Sequence, residues 1–522
     1  MRPGSARVGA PHIGWAVLVL TIAAGIVYGP GLNRVFAGDQ VSYFAELDGG
    51  TSLADGLRLV DYEAARRYGK ANDALFRPLM FTWLAAANSL FTYHHVWWNR
   101  AQLALHVLVA AALYHVLVTV RPSIFALPAA LLFLVSKPSM ELALWNHLGG
   151  YLIGWILLLI AMAAFIRITR QSPVAPKPLM AVYMLALAAG GFAHETIVLI
   201  GIVAGLLLLW SERAKGQGPT IGRVCLYMSP LLLFAVAYGF HAMRVERLTY
   251  VDTRPAGIFT GRNLVLLGPK IVEAVVRWTM EIAVPAALEV SASSHERLLK
   301  AFAFSFRQPV HVMNAALSFT MLVILARSSS RAHGRRERPL LALLLGALAA
   351  YVGLICLGRA RGEIHLVPYY LYFFNLLAMV LVYAAVDVSR ITSRAGTLAA
   401  VVLAALVVLE GADTRAAAVA LGDTNADAAR YLTRVARFVD AHKSDPHFTF
   451  RIVNPPDDLD PLVPLREGYP DDRLAIVTER RTTAILFRRY NDDAGSTNVL
   501  DGRELARHSS LFEPPGGVRV AR

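Results

Sequence analysis

Two stretches constrain this chain more than any other feature: GWAVLVLTIAAGIVYGP at 14–30 and GYLIGWILLLIAMAAFI at 150–166. Neither contains a charged residue. At about 1.5 Å of helical rise per residue, each is long enough to cross a hydrocarbon core of ~30 Å. Over the 522 residues, 56% are hydrophobic and 17% are charged, whereas soluble domains run near a quarter charged. The class this dictates is an all-α polytopic membrane protein.

The net charge of +14 reads as the positive-inside bias of such proteins and not as a nucleic-acid footprint. The chain has two cysteines, Cys225 and Cys356, and both fall in apolar runs. They supply neither a disulfide framework nor a Cys-based metal site. The basic start and long apolar run of the N-terminus resemble a signal peptide, but no small-x-small cleavage site follows a short apolar region. A retained first helix is therefore expected.

Eleven spans are expected, near 12–30, 98–119, 122–136, 150–167, 179–193, 195–210, 222–242, 311–326, 339–357, 368–387 and 396–411, with the long apolar stretch 179–210 folding at Gly190-Gly191 and His194-Glu195. With the N-terminus inside, the inner segments carry sixteen Lys and Arg residues. The short outer loops 137–149 and 358–367 carry three, Lys137, Arg359 and Arg361. That asymmetry predicts a cytoplasmic N-terminus and a non-cytoplasmic C-terminus. A membrane domain is expected over 1–411, with long outer loops at 31–97 and 243–310. Loop 31–97 contains LADGLRLVDYEAARRYG and FRPLMFTWLAAANSLF, both expected as amphipathic helices on the outer face, the second opened by Pro78. In the second loop, VRWTMEIAVPAALEV is apolar enough to be interfacial or re-entrant. The tail, 412–522, changes character: helix-like NADAARYLTRVARFVDAH precedes strand-like FTFRIVN, RLAIVTE and TTAILFRRY. A small C-terminal α/β extramembrane domain is expected there.

Charge deep in a bilayer marks a transport path or a relay, and the spans are almost free of it. Polar groups gather instead at outer helix ends and outer loops: Asp39, Arg77, Lys137, Glu141, His147, His194, Glu195, Arg359, Arg361, Glu363 and His365. A site there faces water on one side and lipid on the other, which suits a substrate with a lipid tail and a polar head. His106 and His115, inside the second span, are expected to pack or to bond to neighbouring backbone.

An Asp just after the first span, then FRPLMFTWLAAANSLF with WWNRAQLALH, KPSMELALWNHLGGYLI, GFAHETIVLIGIVAGLLLLW and RGEIHLVPYYLY follow in that order. This order and phrasing over residues 30–390 resemble the GT-C membrane glycosyltransferases, above all the polyprenyl- and dolichyl-phosphate-mannose protein O-mannosyltransferases and their bacterial relatives. The sequence departs from the family's pattern at several points. Asp39 is followed by Gln40 where the family often has a second acid. His194 stands where the family has Lys. Glu363 is followed by Ile364 where the family has Arg, with Arg359 and Arg361 upstream instead.

The resemblance implies a sugar carried on a polyprenyl phosphate and transferred to a lipid, glycan or protein acceptor, and the Ala/Arg/Gly-rich composition and short loops suggest that the membrane is a bacterial inner membrane. The resemblance also implies Asp39 as the catalytic residue. A phosphate leaves without a general acid, so what the reaction lacks is a deprotonated acceptor hydroxyl, which one carboxylate at the water–lipid boundary can supply. Single displacement with one base inverts the anomeric centre, by analogy with inverting glycosidases. Arg359 and Arg361 would offer forked donors to the phosphate, with Lys137 and Arg77 as second candidates. Glu195, beside His194, would orient a sugar hydroxyl or fix an arginine. Glu141, Glu363 and His365 complete the expected substrate site. No cofactor is expected, with a divalent cation on several carboxylates left open.

Plainer roles stand beside these. Asp39 suits a helix N-cap, Arg77-Pro78 a helix start, and His194-Glu195 the N-terminus of the sixth span, where a carboxylate suits the helix dipole. Rival functions are a flippase or transporter of lipid-linked saccharides, a membrane polysaccharide polymerase or ligase, and a non-catalytic assembly protein.

Overall fold

The computed structural model describes residues 12–33, 76–91, 95–170, 177–214, 220–249, 338–358, 368–385, 393–424, 449–453, 497–501 and isolated positions at 54 and in 313–323. Twelve helices and one short sheet lie within them: α1 (Ile13–Tyr28), α2 (Pro78–Phe91), α3 (His95–Val120), α4 (Ala126–Val135), α5 (Lys137–Leu144), α6 (Gly149–Arg170), α7 (Lys177–Ala193), α8 (Glu195–Ala214), α9 (Ile221–Thr249), α10 (Arg338–Gly358), α11 (Pro368–Ala385) and α12 (Ser393–Thr424). A 3-10 turn, Gly29–Asn33, extends α1, and another, Asn146–Leu148, leads into α6.

The protein is a multi-pass helical membrane protein. Six helices among the described residues are long and apolar enough to cross a bilayer, or seven if the bent pair α4–α5 counts as one span. Apolar side chains cover both faces of these helices, as a lipid solvent requires. On α1, Ala16, Leu20, Ala24 and Val27 are buried while Trp15, Leu18, Ile22 and Ile26 are exposed. Of the expected spans, only 311–326 falls largely outside the described residues.

Helix α6 is the hub, packed on α3 and α7. Small residues let these backbones close up: a Cβ on Gly154 would lie 2.8 Å from the Ala193 Cβ. Arg170 donates from Nη2 to the Val120 carbonyl at 2.8 Å and from Nη1 to that of Thr119. The Tyr383 hydroxyl donates to the Arg121 carbonyl at 2.8 Å. Basic residues thus gather at the end of the bundle where α3 and α6 finish.

Several expectations need correction. FRPLMFTWLAAANSLF does form a helix opened by Pro78, but α2 packs into the bundle, with Met80, Phe81, Leu84, Ala85, Ala87 and Asn88 buried. Segment 137–149 is not an open loop. It is α5 plus a 3-10 turn, bent 64° from α4, with Leu142, Ala143, Leu144 and Leu148 buried. Gly190-Gly191 does not interrupt α7, and the break comes at His194. Helix α12 runs through position 411 to Thr424, longer than the span expected at 396–411.

In the tail, β1 (Thr449–Val453) pairs parallel with β2 (Thr497–Asp501). The first lies within the expected strand FTFRIVN, and the second was not expected. RLAIVTE, TTAILFRRY and NADAARYLTRVARFVDAH lie outside the described residues, as do most of loops 31–97 and 243–310.

Candidate functional site

Arg77, at the start of α2, and Glu195, at the start of α8, meet although 118 positions separate them. The Arg77 Nε donates to Glu195 Oε2 at 2.7 Å and Nη2 donates to Oε1 at 2.5 Å. This forked geometry is the strong form of the Arg–carboxylate pair. Arg77 Nη1 donates to the Tyr151 hydroxyl in the first turn of α6, and the guanidinium lies 4.9 Å from the centre of that ring. The side chains are 9% and 31% exposed, so the carboxylate is the more open partner.

His194 caps α8. Its Nδ1 accepts the Thr196 N–H at 3.2 Å, which leaves the ring's proton on Nε2. The ring packs edge-on to Tyr151 at 4.9 Å and against Trp155 at 5.1 Å. Trp155 in turn stacks on Phe373 of α11 at 3.8 Å. The expected capping role of His194 and the expected arginine-fixing role of Glu195 are both present. A glycine pair makes room for them. A Cβ on Gly150 would stand 2.4 Å from the Met80 Cα, so only glycine lets α2 lie over the start of α6.

A second polar cluster surrounds the α4–α5 break. Ser136, extended at φ −71° and ψ 147°, ends α4, and Pro138 follows in the first turn of α5. The carbonyls released there find side chains, as buried backbone must. Ser139 Oγ donates to the Phe133 carbonyl at 2.7 Å, and the Tyr28 hydroxyl donates to that of Leu134 at 2.6 Å. His106 sits between that Leu134 carbonyl, at 3.0 Å, and the Tyr372 hydroxyl, at 2.8 Å, so it bonds to neighbouring groups as expected. Asn375 Nδ2 donates to Ser136 Oγ at 2.9 Å. Residues 373 and 375 lie on opposite sides of α11, and this one helix therefore touches both clusters.

Lys137 belongs to this second cluster. Its backbone N–H donates to Glu410 Oε2 at 3.3 Å, and its Nζ lies 3.7 Å from Asp413 Oδ2. Glu410 is fully buried. Its carboxylate faces the N-terminus of α5, where the helix dipole favours negative charge. Glu410, Asp413 and Tyr151 were not anticipated from the sequence, although Glu410 and Asp413 stand at i and i+3, one face of a helix.

The structure brings together Arg77, His194 and Glu195, and it pairs Lys137 elsewhere. Glu141 lies in α5. Asp39, Arg359, Arg361, Glu363 and His365 lie outside the described residues. Among the described residues, no three His, Cys, Asp or Glu side chains come together as a metal ion would need.

No family model matches the chain, and no curated protein matches it. Among solved structures it is similar to ArnT from Cupriavidus metallidurans, crystallised bound to undecaprenyl phosphate. That similarity runs at 14% identity over 98% of this chain and 97% of that one, with a TM-score of 0.33. A likeness so distant carries no argument about the site.

Proposed function

We propose that the chain is an integral membrane glycosyltransferase of GT-C architecture. It takes a sugar from a polyprenyl-phosphate donor and passes it to an acceptor on the non-cytoplasmic face of a bacterial inner membrane. The observation that supports this most is a convergence. Three phrases that carry the family resemblance, FRPL, GGYLI and FAHET, meet in space through Arg77, Tyr151 and Glu195, at sequence separations of 74 and 118. Chance phrases have no reason to share a hydrogen-bond network.

In this reading Asp39 accepts the proton of the acceptor hydroxyl as that oxygen attacks the anomeric carbon. The bond from that carbon to the phosphate oxygen breaks, the polyprenyl phosphate leaves, and the configuration inverts. Arg359 and Arg361 receive the phosphate charge. Arg77 serves differently. With its fork occupied by Glu195, it braces α2, α6 and α8 at the site's mouth. Lys137, engaged by Asp413, braces α5 against α12.

Purified protein tests the lipid-phosphate part of the proposal. Polyprenyl phosphate at ~100 times its dissociation constant should stabilise the fold by about 2.7 kcal/mol, and the matching polyprenol should not. Equal melting temperatures with the two lipids would contradict phosphate recognition.

A further inference from the structure

The Arg77–Glu195 pair is not sealed, since the Glu195 side chain is 31% exposed. A carboxylate offers about four lone-pair positions. The Arg77 fork takes two and the Glu195 backbone N–H faces a third, which leaves Glu195 able to accept one hydrogen more. Beside it, His194 Nδ1 accepts the Thr196 N–H at 3.2 Å and lies 4.0 Å from Glu195 Oε2. The ring's proton is therefore on Nε2, and among the described residues that N–H meets no acceptor. One acceptor and one donor are thus left open, close enough for two hydroxyls of a single sugar ring.

An aromatic wall adjoins them. Phe76, the chain neighbour of Arg77, is met edge-on by Phe192, Phe234 and Tyr238 at 6.1, 5.9 and 6.1 Å, and it stacks on His241 at 4.8 Å. Phe76, Phe234 and Tyr238 are only half-buried. Residues 234, 238 and 241 follow at i, i+4 and i+7, one seam of α9. Leu233, Val236 and Phe240 on its other side are exposed, as a face turned to lipid would be.

A few directed polar groups beside aromatic faces are what a pocket needs to read hydroxyls and the apolar C–H face of a ring. Charge narrows the ligand further. Glu195 answers Arg77 and His194 is neutral, so this place suits an uncharged polyhydroxyl group better than a phosphate or a carboxylate. Its flank on lipid suits a head group whose tail stays in the bilayer. We propose that Glu195, His194, Phe76 and Tyr238 form the subsite for the saccharide head of the lipid donor, with Glu195 accepting from one sugar hydroxyl and His194 Nε2–H donating to another. This deepens the transferase reading and rests on it.

Calorimetry on the purified full chain tests the subsite. The probes are polyprenyl phosphate, a panel of polyprenyl-phosphate hexoses, and octyl hexosides against octyl tetraethylene glycol, which offer the sugar without the phosphate. The quantity read is the ratio of dissociation constants without and with the sugar. For wild type, two hydrogen bonds and an aromatic contact should make that ratio roughly 10-fold or more for at least one hexose. His194→Asn keeps the cap on Thr196 and loses the Nε2–H, so the ratio should fall roughly 3- to 10-fold, the worth of one neutral hydrogen bond. Tyr238→Leu keeps an apolar side chain without a ring and should lower it by a similar factor. In both variants the affinity for polyprenyl phosphate should stay within about two-fold.

A protein that is blind to polyprenyl phosphate, yet binds an octyl hexoside with losses in both variants, sustains the subsite while the transferase reading fails. A wild type that binds polyprenyl phosphate and gains nothing from any hexose overturns the subsite and leaves lipid-phosphate recognition standing. An undiminished ratio in the two variants also overturns it, as do equal losses for sugared and sugarless lipids, which would make His194 and Tyr238 structural. Binding of none of the probes overturns both readings.

Discussion

Arg77 and Glu195 form a forked ion pair, 2.7 Å and 2.5 Å across its two bonds, between the residue just before α2 and the first residue of α8, which are distant in sequence. The Arg77 side chain is 9% exposed. A buried guanidinium depends on its partner, and removing one member of such a pair typically costs about 3–5 kcal/mol. Glu195→Gln and Arg77→Gln should each lower the melting temperature of the solubilised protein sharply. The double variant should be less destabilised than the sum of the two, with a coupling of about 1–3 kcal/mol. Additive losses would show that the pair does not act as a unit.

Gly150→Ala should destabilise by about 1–3 kcal/mol, because its methyl would enter the backbone of α2 at Met80. Gly222→Ala meets no atom within 4 Å and should be neutral or slightly stabilising. Thermal melts of the two variants side by side check this.

Glu410 supplies an acceptor to the first N–H of α5 from a fully buried position. Glu410→Gln keeps an acceptor, while Glu410→Leu removes it. The Leu variant should be the less stable by about 0.5–2 kcal/mol, the range for a lost cap. Equal stability would assign Glu410 to packing alone.

His194 accepts from Thr196 and packs its ring on Tyr151 and Trp155. His194→Ala loses both roles, whereas His194→Asn keeps the cap. Asn should recover about 1 kcal/mol of the loss, as read from melting temperature.

The membrane helices were legible because long uncharged runs leave a chain little choice. Even the start of α2 was marked, by Pro78. What escaped was the handling of short segments. Residues 137–149 look like a polar loop in sequence, yet the Ser136–Pro138 break and the partners of the Phe133 and Leu134 carbonyls fold them into the bundle. Arg77, Lys137, His194 and Glu195 stood out as charges or imidazoles in an apolar chain. Their pairing was hidden because contacts across 118 positions leave no local pattern. Glu410 was overlooked because it sits at the edge of an apolar run, where a carboxylate looks like the start of the outside. Tyr151 carries no signal of its own in the sequence, since one tyrosine near a helix start is ordinary until an arginine is seen beside it.

The most direct test of the proposed transferase is donor consumption by membranes that carry either wild type or Asp39→Asn, supplied with a panel of polyprenyl-phosphate sugars. Asn keeps the shape of the side chain and removes the base. The expected result is that wild type depletes one lipid-linked donor and the variant, inserted to the same level, does not. Equal depletion by both would make Asp39 a helix cap and move the search for a base to Glu141, since Glu195 is engaged by Arg77. If no donor is depleted by either protein, the transferase reading is wrong.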